Sequence, residues 1–129
     1  TIVWAYFGER IGLCSRSRSQ PLISGCAGRW LGSFVRDKRL FTLEQAIRKM
    51  TSLSADTFGL QGRGRLIEKA YADVVVLDEN TIADQAQFGD PIHHCSGIEH
   101  VLINGVQVVA HGTPLNLTAE GSPIPGHRL

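Results

Sequence analysis

The stretch Ile98-Glu99-His100-Val101-Leu102-Ile103-Asn104-Gly105-Val106-Gln107-Val108-Val109 decides the fold class of the second half of the chain. Two β-branched runs flank Asn104-Gly105, and both central positions of a type I′ turn need positive φ, which Asn and Gly adopt at low cost. The sequence therefore predicts a two-residue hairpin pairing 99–103 with 106–110. Upstream, Val74-Val75-Val76-Leu77, bracketed by Asp73 and Asp78, reads as a further strand. Residues 80–97 between them are polar, contain Pro91 and read as an excursion on the surface. After Gly112, Pro114, Pro123 and Pro125 predict an irregular tail over 113–129.

Toward the N-terminus the periodicity changes from two to that of a helix. Trp30, Leu31, Phe34 and Val35 fall on one side of a predicted helix, which ends in the charged Arg36-Asp37-Lys38-Arg39. A second helix is predicted from Thr42, the cap, with Gln45 at the capping-box position and Leu43, Ala46, Ile47 and Met50 as its apolar face. Ser54 is the expected cap of one more short helix through Phe58, with Gly59 placed to end it. Ile2 to Phe7 read as a buried strand, and Ser15 to Pro21 as a solvated loop. The expected core comprises Leu43, Ile47, Met50, Val75 and Ile103, which carry the periodic apolar faces.

Composition narrows the function classes without naming one. The 129 residues are 43% hydrophobic and 19% charged, which argues for one globular domain and against disorder. Thirteen Lys plus Arg against twelve Asp plus Glu leave a charge of +1, so there is no electrostatic basis for nucleic-acid or anionic-membrane binding. No apolar run approaches the roughly 18 residues of a membrane-spanning helix. Thr1-Ile2-Val3-Trp4 lacks the positive n-region of a signal peptide and reads as a cut end. Three cysteines without a CxxC pair suggest a reduced, cytoplasmic chain, although a Cys14–Cys26 bridge can be drawn.

Candidate chemistry is sparse. His93-His94-Cys95 places three ligand types in a row, but adjacent side chains diverge, and metal sites use spaced pairs. His100, His111 and His127 add no such spacing. Gly62-Arg63-Gly64-Arg65 lacks the third glycine of a dinucleotide loop and the Lys-Ser/Thr of a P-loop, and reads as a tight turn from helices to strands. Asn116-Leu117-Thr118 is a glycosylation sequon with no leader to accompany it. No nucleophile–base set and no carboxylate pair stands out, so no residue is assigned a catalytic, cofactor-binding or metal-binding role.

The segment Thr42-Leu43-Glu44-Gln45-Ala46-Ile47-Arg48-Lys49-Met50-Thr51-Ser52-Leu53-Ser54-Ala55, continued by Phe58-Gly59-Leu60, resembles the C-terminal region of N-acyl-D-amino-acid deacylases (D-aminoacylases) of the amidohydrolase superfamily. Arg29 to Arg36, Arg63-Gly64, Ala72 to Asp78, Phe88-Gly89-Asp90-Pro91, Gly97 to Gly105 and the terminal Pro125-Gly126-His127-Arg128-Leu129 are similar in the same order. The resemblance covers roughly 29–129 and implies an α+β fragment: the last helices of a (β/α)8 barrel followed by C-terminal strands of a small accessory β-sandwich. On that mapping 1–28 is a divergent or out-of-family segment, 29–65 the helical part of the barrel, 66–112 the sandwich strands and 113–129 the tail.

The resemblance implies a zinc-dependent hydrolase whose full-length form cleaves the amide bond of N-acyl-D-amino acids, with zinc expected in the parent and none in this chain alone. The family's ligands, an early His-x-His, a Cys and later histidines, come before the region covered. Its Ser-Asp-Gly and His-Pro-Arg segments have no counterpart here, where the neighbourhood reads Phe7-Gly8-Glu9-Arg10-Ile11-Gly12. Lys69 stands where the family commonly has Gly, and Ser54 and Glu79 where it has Pro. The rival expectations are a non-catalytic helix–hairpin module and the inactive product of a broken gene, with self-association through exposed apolar helix faces as a further expectation.

Overall fold

Asn104 and Gly105 take φ of +50° and +82°, as the hairpin reading requires, and Ile103 pairs with Val106 across the two-residue turn. The computed structural model describes residues 2–3, 26–86 and 93–115. In chain order they form β1 (Ile2–Val3), α1 (Arg29–Asp37), α2 (Leu43–Met50), α3 (Ser52–Phe58), β2 (Val74–Leu77), β3 (Ile98–Ile103), β4 (Val106–Ala110) and β5 (Thr113–Pro114). The chain divides into two units, one of residues 1–6, 47–77 and 98–129, the other of 7–46 and 78–97.

The first unit contains one antiparallel sheet in the order β1-β2-β3-β4-β5. Register shifts fall between Val76 and Leu77 and between Val101 and Leu102, beyond which Val101 faces Val109 and His100 faces Ala110. Such irregularities increase local twist in short strands. The expected strand over Val74–Leu77 and both hairpin strands form as read. Thr113-Pro114, placed by sequence in the irregular tail, instead adds a two-residue edge strand on β4. At the opposite edge Ile2 and Val3 pair with Val76 and Val75, while Trp4 to Phe7 of that expected strand lie outside the described residues.

Helix α3 begins earlier than its sequence signal suggested. Thr51 precedes its first residue, and Ser54, the expected cap, donates its hydroxyl to the Lys49 carbonyl at 2.7 Å. Gly59 ends the helix as expected, at φ +67°. Gly59 N–H reaches the Asp56 carbonyl and Leu60 N–H the Ala55 carbonyl, the paired bonds of a Schellman ending. At the start of α2 the Thr42–Gln45 capping box closes in both directions, with 3.3 and 3.2 Å bonds.

The second unit is organised by close backbone approach. Helix α1 is wider than the α-helix its periodicity predicts. It is π-helical, and Lys38 N–H bonds the Ser33 carbonyl at 2.9 Å. Of the expected stripe only Leu31 is buried; Trp30 stacks on Phe41 and meets Phe34 edge-on with centroids 5.4 and 5.6 Å apart. A Cβ on Gly32 would lie 2.6 Å from the Ile82 carbonyl oxygen, so glycine is what admits the 82–83 backbone here. The 80–97 excursion is therefore not all surface: Ile82 is only 1% exposed and Ala86 is buried, while Ala83 bridges Ser96. Residues 87–92, including Phe88 to Pro91, lie outside the described residues.

The expected core needs correction. Leu43, Ile47, Met50 and Val75 are half-buried, and Ile103 is 36% exposed. The residues that close off are Leu31, Ala46, Ala55, Leu77, Ile82 and Ala86. Contacts between elements run chiefly from strand to strand, so the long apolar side chains of the helices and hairpin are covered only in part. Small residues such as Ala46 and Ala55 are buried because little cover suffices to hide them.

Replacing Gly105 by Ala should cost about 1–2 kcal/mol in a denaturant titration, because a side chain is strained at φ +82° although its nearest neighbour, Ala72 Cβ, would be 3.9 Å away. A second expectation concerns Asp78, whose carboxylate accepts Asn80 N–H at 3.0 Å and the Thr81 hydroxyl at 2.9 Å. These bonds, the backbone one first, hold its pKa below the usual carboxylate range. Its contribution to stability is thus present above the unfolded pKa and lost as pH falls through the lower folded one. A carboxyl-carbon NMR titration should place the Asp78 midpoint below 3.8; a midpoint at or above that value would contradict the bonding seen.

Candidate functional site

The most tightly built polar cluster lies in the first unit and centres on Arg63. The Gly62-Arg63-Gly64-Arg65 segment is a turn, with φ of +69° at Gly62 and +72° at Gly64. The turn delivers Arg63 to Asp73, and both side chains are buried, each residue being 5% exposed. Arg63 Nη1 pairs with Asp73 Oδ2, and Arg63 Nη2 donates to Asn104 Oδ1 at 3.2 Å. The other carboxylate oxygen, Oδ1, accepts the Asn104 N–H at 2.9 Å. The guanidinium also lies over the Tyr71 ring, 4.2 Å from its centroid. Tyr71 N–H returns to the Gly62 carbonyl, and Gly105 N–H to that of Ala72.

Chemically this cluster is closed. Both Asp73 oxygens are engaged and shielded from water, so the carboxylate is not placed to move a proton to or from a substrate. Its partners are separated from it by 10 and 31 residues, which is why local spacing did not reveal it. In the sequence Arg63 reads as part of a turn and Asp73 as the bracket of a strand. The available signal was a charged residue set between two turn glycines and another at a strand entrance.

The remaining polar pairs also neutralise one another. Arg65 forks onto Asp56 with bonds of 2.8 and 2.7 Å at the surface, and this pairing holds the Asp56 pKa below its ordinary value. In the second unit Arg29 meets Asp84 at 2.5 Å, and Arg36 caps the carbonyls of Asn80 and Ile82 at 3.0 and 2.8 Å. His100 and His111 lie edge to face with centroids 4.8 Å apart, and His100 Nδ1 is 3.0 Å from Gln107 Nε2. Since Gln107 Nε2 also donates to the Val109 carbonyl at 3.1 Å, its amide is oriented to donate to the imidazole as well.

Among the described residues no group of three or more His, Cys, Asp or Glu converges as a metal site would require. His93 and His94 are exposed, and His127 lies outside the described residues with Asn116 and Cys14. No helix among the described residues is long and apolar enough to cross a membrane.

Comparison with known proteins assigns this arrangement to a class. Residues 16–109 match the model of the amidohydrolase family, and the chain belongs to that family. It is 46% identical over 103 residues to an N-acyl-D-glutamate deacylase of Alcaligenes xylosoxydans xylosoxydans, spanning 80% of this chain and 21% of the relative. A D-aminoacylase of the same organism is 45% identical over 97 residues, spanning 75% of this chain and 20% of the relative. A crystal structure of D-aminoacylase superposes with a TM-score of 0.72 at 41% identity, over 75% of this chain and 20% of that one. The N-acyl-D-glutamate deacylase of Bordetella bronchiseptica, solved with zinc and a phosphonate inhibitor, superposes at 0.69 with 45% identity, over 76% of this chain and 22% of that one. The chain thus spans about a fifth of the length of the relatives it matches.

Replacing Asp73 by Asn should be the most damaging single change in the first unit. It leaves the Arg63 charge buried without its counter-ion, a loss of about 3–5 kcal/mol. Replacing Arg63 by Met and Asp73 by Leu together should recover much of that loss, since the Arg63 change removes the stranded charge. Denaturant titration of the two variants beside the parent measures both; equal loss in single and double variants would mean that packing, not charge, holds the site.

Proposed function

We propose that this chain is the C-terminal portion of a metal-dependent hydrolase that cleaves the amide bond of N-acyl-D-amino acids, the hydrolysis belonging to the full-length protein. The reading is carried by one observation: sequence and fold agree with deacylases over the same three quarters of the chain, at 41% identity and a TM-score of 0.72. In it, 29–65 forms the last helical part of a (β/α)8 barrel, 66–112 the C-terminal strands of an accessory β-sandwich and 113–129 the tail. Zinc is the cofactor of the parent. The described residues do not fit a zinc centre, so no step of the hydrolysis is routed through them. What they supply is scaffold: a strand–hairpin layer fixed by Arg63, Asp73 and Asn104, and a helical layer with charge-paired ends.

A non-catalytic module is the weaker reading, because nothing in the clusters described presents an unpaired, accessible recognition group, while 46% identity to an enzyme runs through 80% of the chain. The test is a chimera in which residues 29–129 replace the matching fifth of the N-acyl-D-glutamate deacylase. The chimera should load zinc and release acetate from an N-acetyl-D-amino acid, and the 129-residue chain alone should release none. A soluble, zinc-loaded chimera without turnover would remove the scaffold reading. Chelator-sensitive turnover by the chain alone would place a site in residues read as structural.

A further inference from the structure

Of the three asparagines in the sequence, Asn80, Asn104 and Asn116, only Asn104 is followed by glycine. Asparagine is among the chemically labile side chains, and this dipeptide is where its lability is greatest. A following glycine has no side chain to keep its backbone nitrogen from attacking the asparagine amide. Thr81 and Leu117 obstruct that attack at the other two positions. The pair that shapes the hairpin turn is therefore also a reactive one.

The fold holds both reacting groups. The nucleophile, the Gly105 nitrogen, donates its N–H to the Ala72 carbonyl at 2.9 Å. The electrophile, the Asn104 side-chain amide, gives its oxygen to Arg63 Nη2 at 3.2 Å. The Asn104 N–H is pinned on Asp73 Oδ1 at 2.9 Å, which fixes the backbone entering the turn. The φ values of +50° and +82° are those of a type I′ turn, whose first central residue has ψ near about +30°. That ψ sets the next nitrogen on the far side of Cα from Cβ, out of reach of the side chain. Ring closure must turn it through to the near side, and the Gly105 bond to Ala72 breaks on the way. Gly105 itself is exposed, so solvent base reaches the tip. Bonding, not burial, protects the pair.

We propose that Asn104-Gly105 is a deamidation site latched by the Arg63–Asp73–Asn104 cluster. When the latch opens, the Gly105 nitrogen loses its proton to solvent base and attacks Asn104 Cγ. The bond from Cγ to the side-chain nitrogen breaks, and that nitrogen takes a proton and leaves as ammonia. Water then adds to one carbonyl of the resulting succinimide, the ring C–N bond there breaks, and the ring nitrogen regains a proton. Opening at Cγ leaves aspartate; opening at the Asn104 backbone carbonyl leaves isoaspartate. One water enters, one ammonia leaves, and nothing is oxidised or reduced. Neither product restores the cluster. Aspartate sets a second carboxylate beside Asp73 on a single guanidinium. Isoaspartate routes the backbone through the side chain and lengthens the turn, so the pairing of Ile103 with Val106 is lost. A chain whose hairpin tip has once opened for long enough is marked for good.

The test is incubation of the 129-residue chain in mildly alkaline buffer, folded and again in denaturant. Mass-resolved peptide mapping reads the replacement of NH2 by OH at each asparagine, and hydrogen exchange reads opening at the Gly105 N–H. In denaturant Asn104 should convert ahead of Asn80 and Asn116. In the folded chain its conversion should be slower by at least roughly tenfold, in proportion to the open fraction that Gly105 exchange reports. The double variant Arg63→Met, Asp73→Leu removes the latch with no charge left stranded. Once shown to be folded, it should convert Asn104 at least roughly threefold faster than the folded parent. Conversion of the folded parent as fast as in denaturant would overturn the proposal, and so would conversion that outruns Gly105 exchange; neither comparison needs a variant. A folded double variant that keeps Asn104 as long as the parent would also overturn it, by assigning the protection to the turn alone.

Discussion

The first unit depends on one buried ion pair. Taking the Arg63 guanidinium and the Asp73 carboxylate out of water carries a desolvation cost that Coulomb attraction offsets only if every remaining polar direction is also satisfied. Asn104 contributes to that condition from both sides, its N–H serving the carboxylate and its side-chain oxygen the guanidinium. The pair thereby locks three segments distant in sequence: the turn after α3, the entrance to β2 and the tip of the β3–β4 hairpin. A register slip of the hairpin by one residue would move Asn104 away and strand both charges, so the cluster favours one register more sharply than the short apolar strands do alone.

The second unit reaches order by different means. There the determining contacts are backbone against backbone: Gly28 and Gly32 admit Ala83 and Ile82, which a side chain at either glycine would displace. Arg36 supplies donors to the carbonyls of that same segment, and Arg29 pairs with Asp84 just beyond it. Polar groups brought close by the glycines are thus satisfied rather than buried unpaired.

These features bear on function through what they exclude as much as what they build. A catalytic group needs an accessible face and unspent bonding capacity, and the charged clusters described here have spent theirs on the fold. Membership of the amidohydrolase family is shown by the match over residues 16–109. The deacylase reading places the reacting groups in the four fifths of the relatives' length that the chain does not span.

What the sequence determined by itself is whatever a few neighbouring residues decide among themselves. The Asn104-Gly105 turn, the Thr42–Gln45 capping box and the Gly59 helix ending each close within five residues or fewer, and each forms as read. The resemblance to deacylases was legible for a related reason, since it rests on linear motifs in a fixed order. Tertiary structure alone decided the Arg63–Asp73–Asn104 cluster and the burial of Ile82 in a polar-looking excursion. It also decided that Leu43, Ile47, Met50 and Val75 are only half covered and that Ile103 is exposed. Periodicity reports which side of an element is apolar, but burial depends on what is packed against that side, and that information lies in residues tens of positions away.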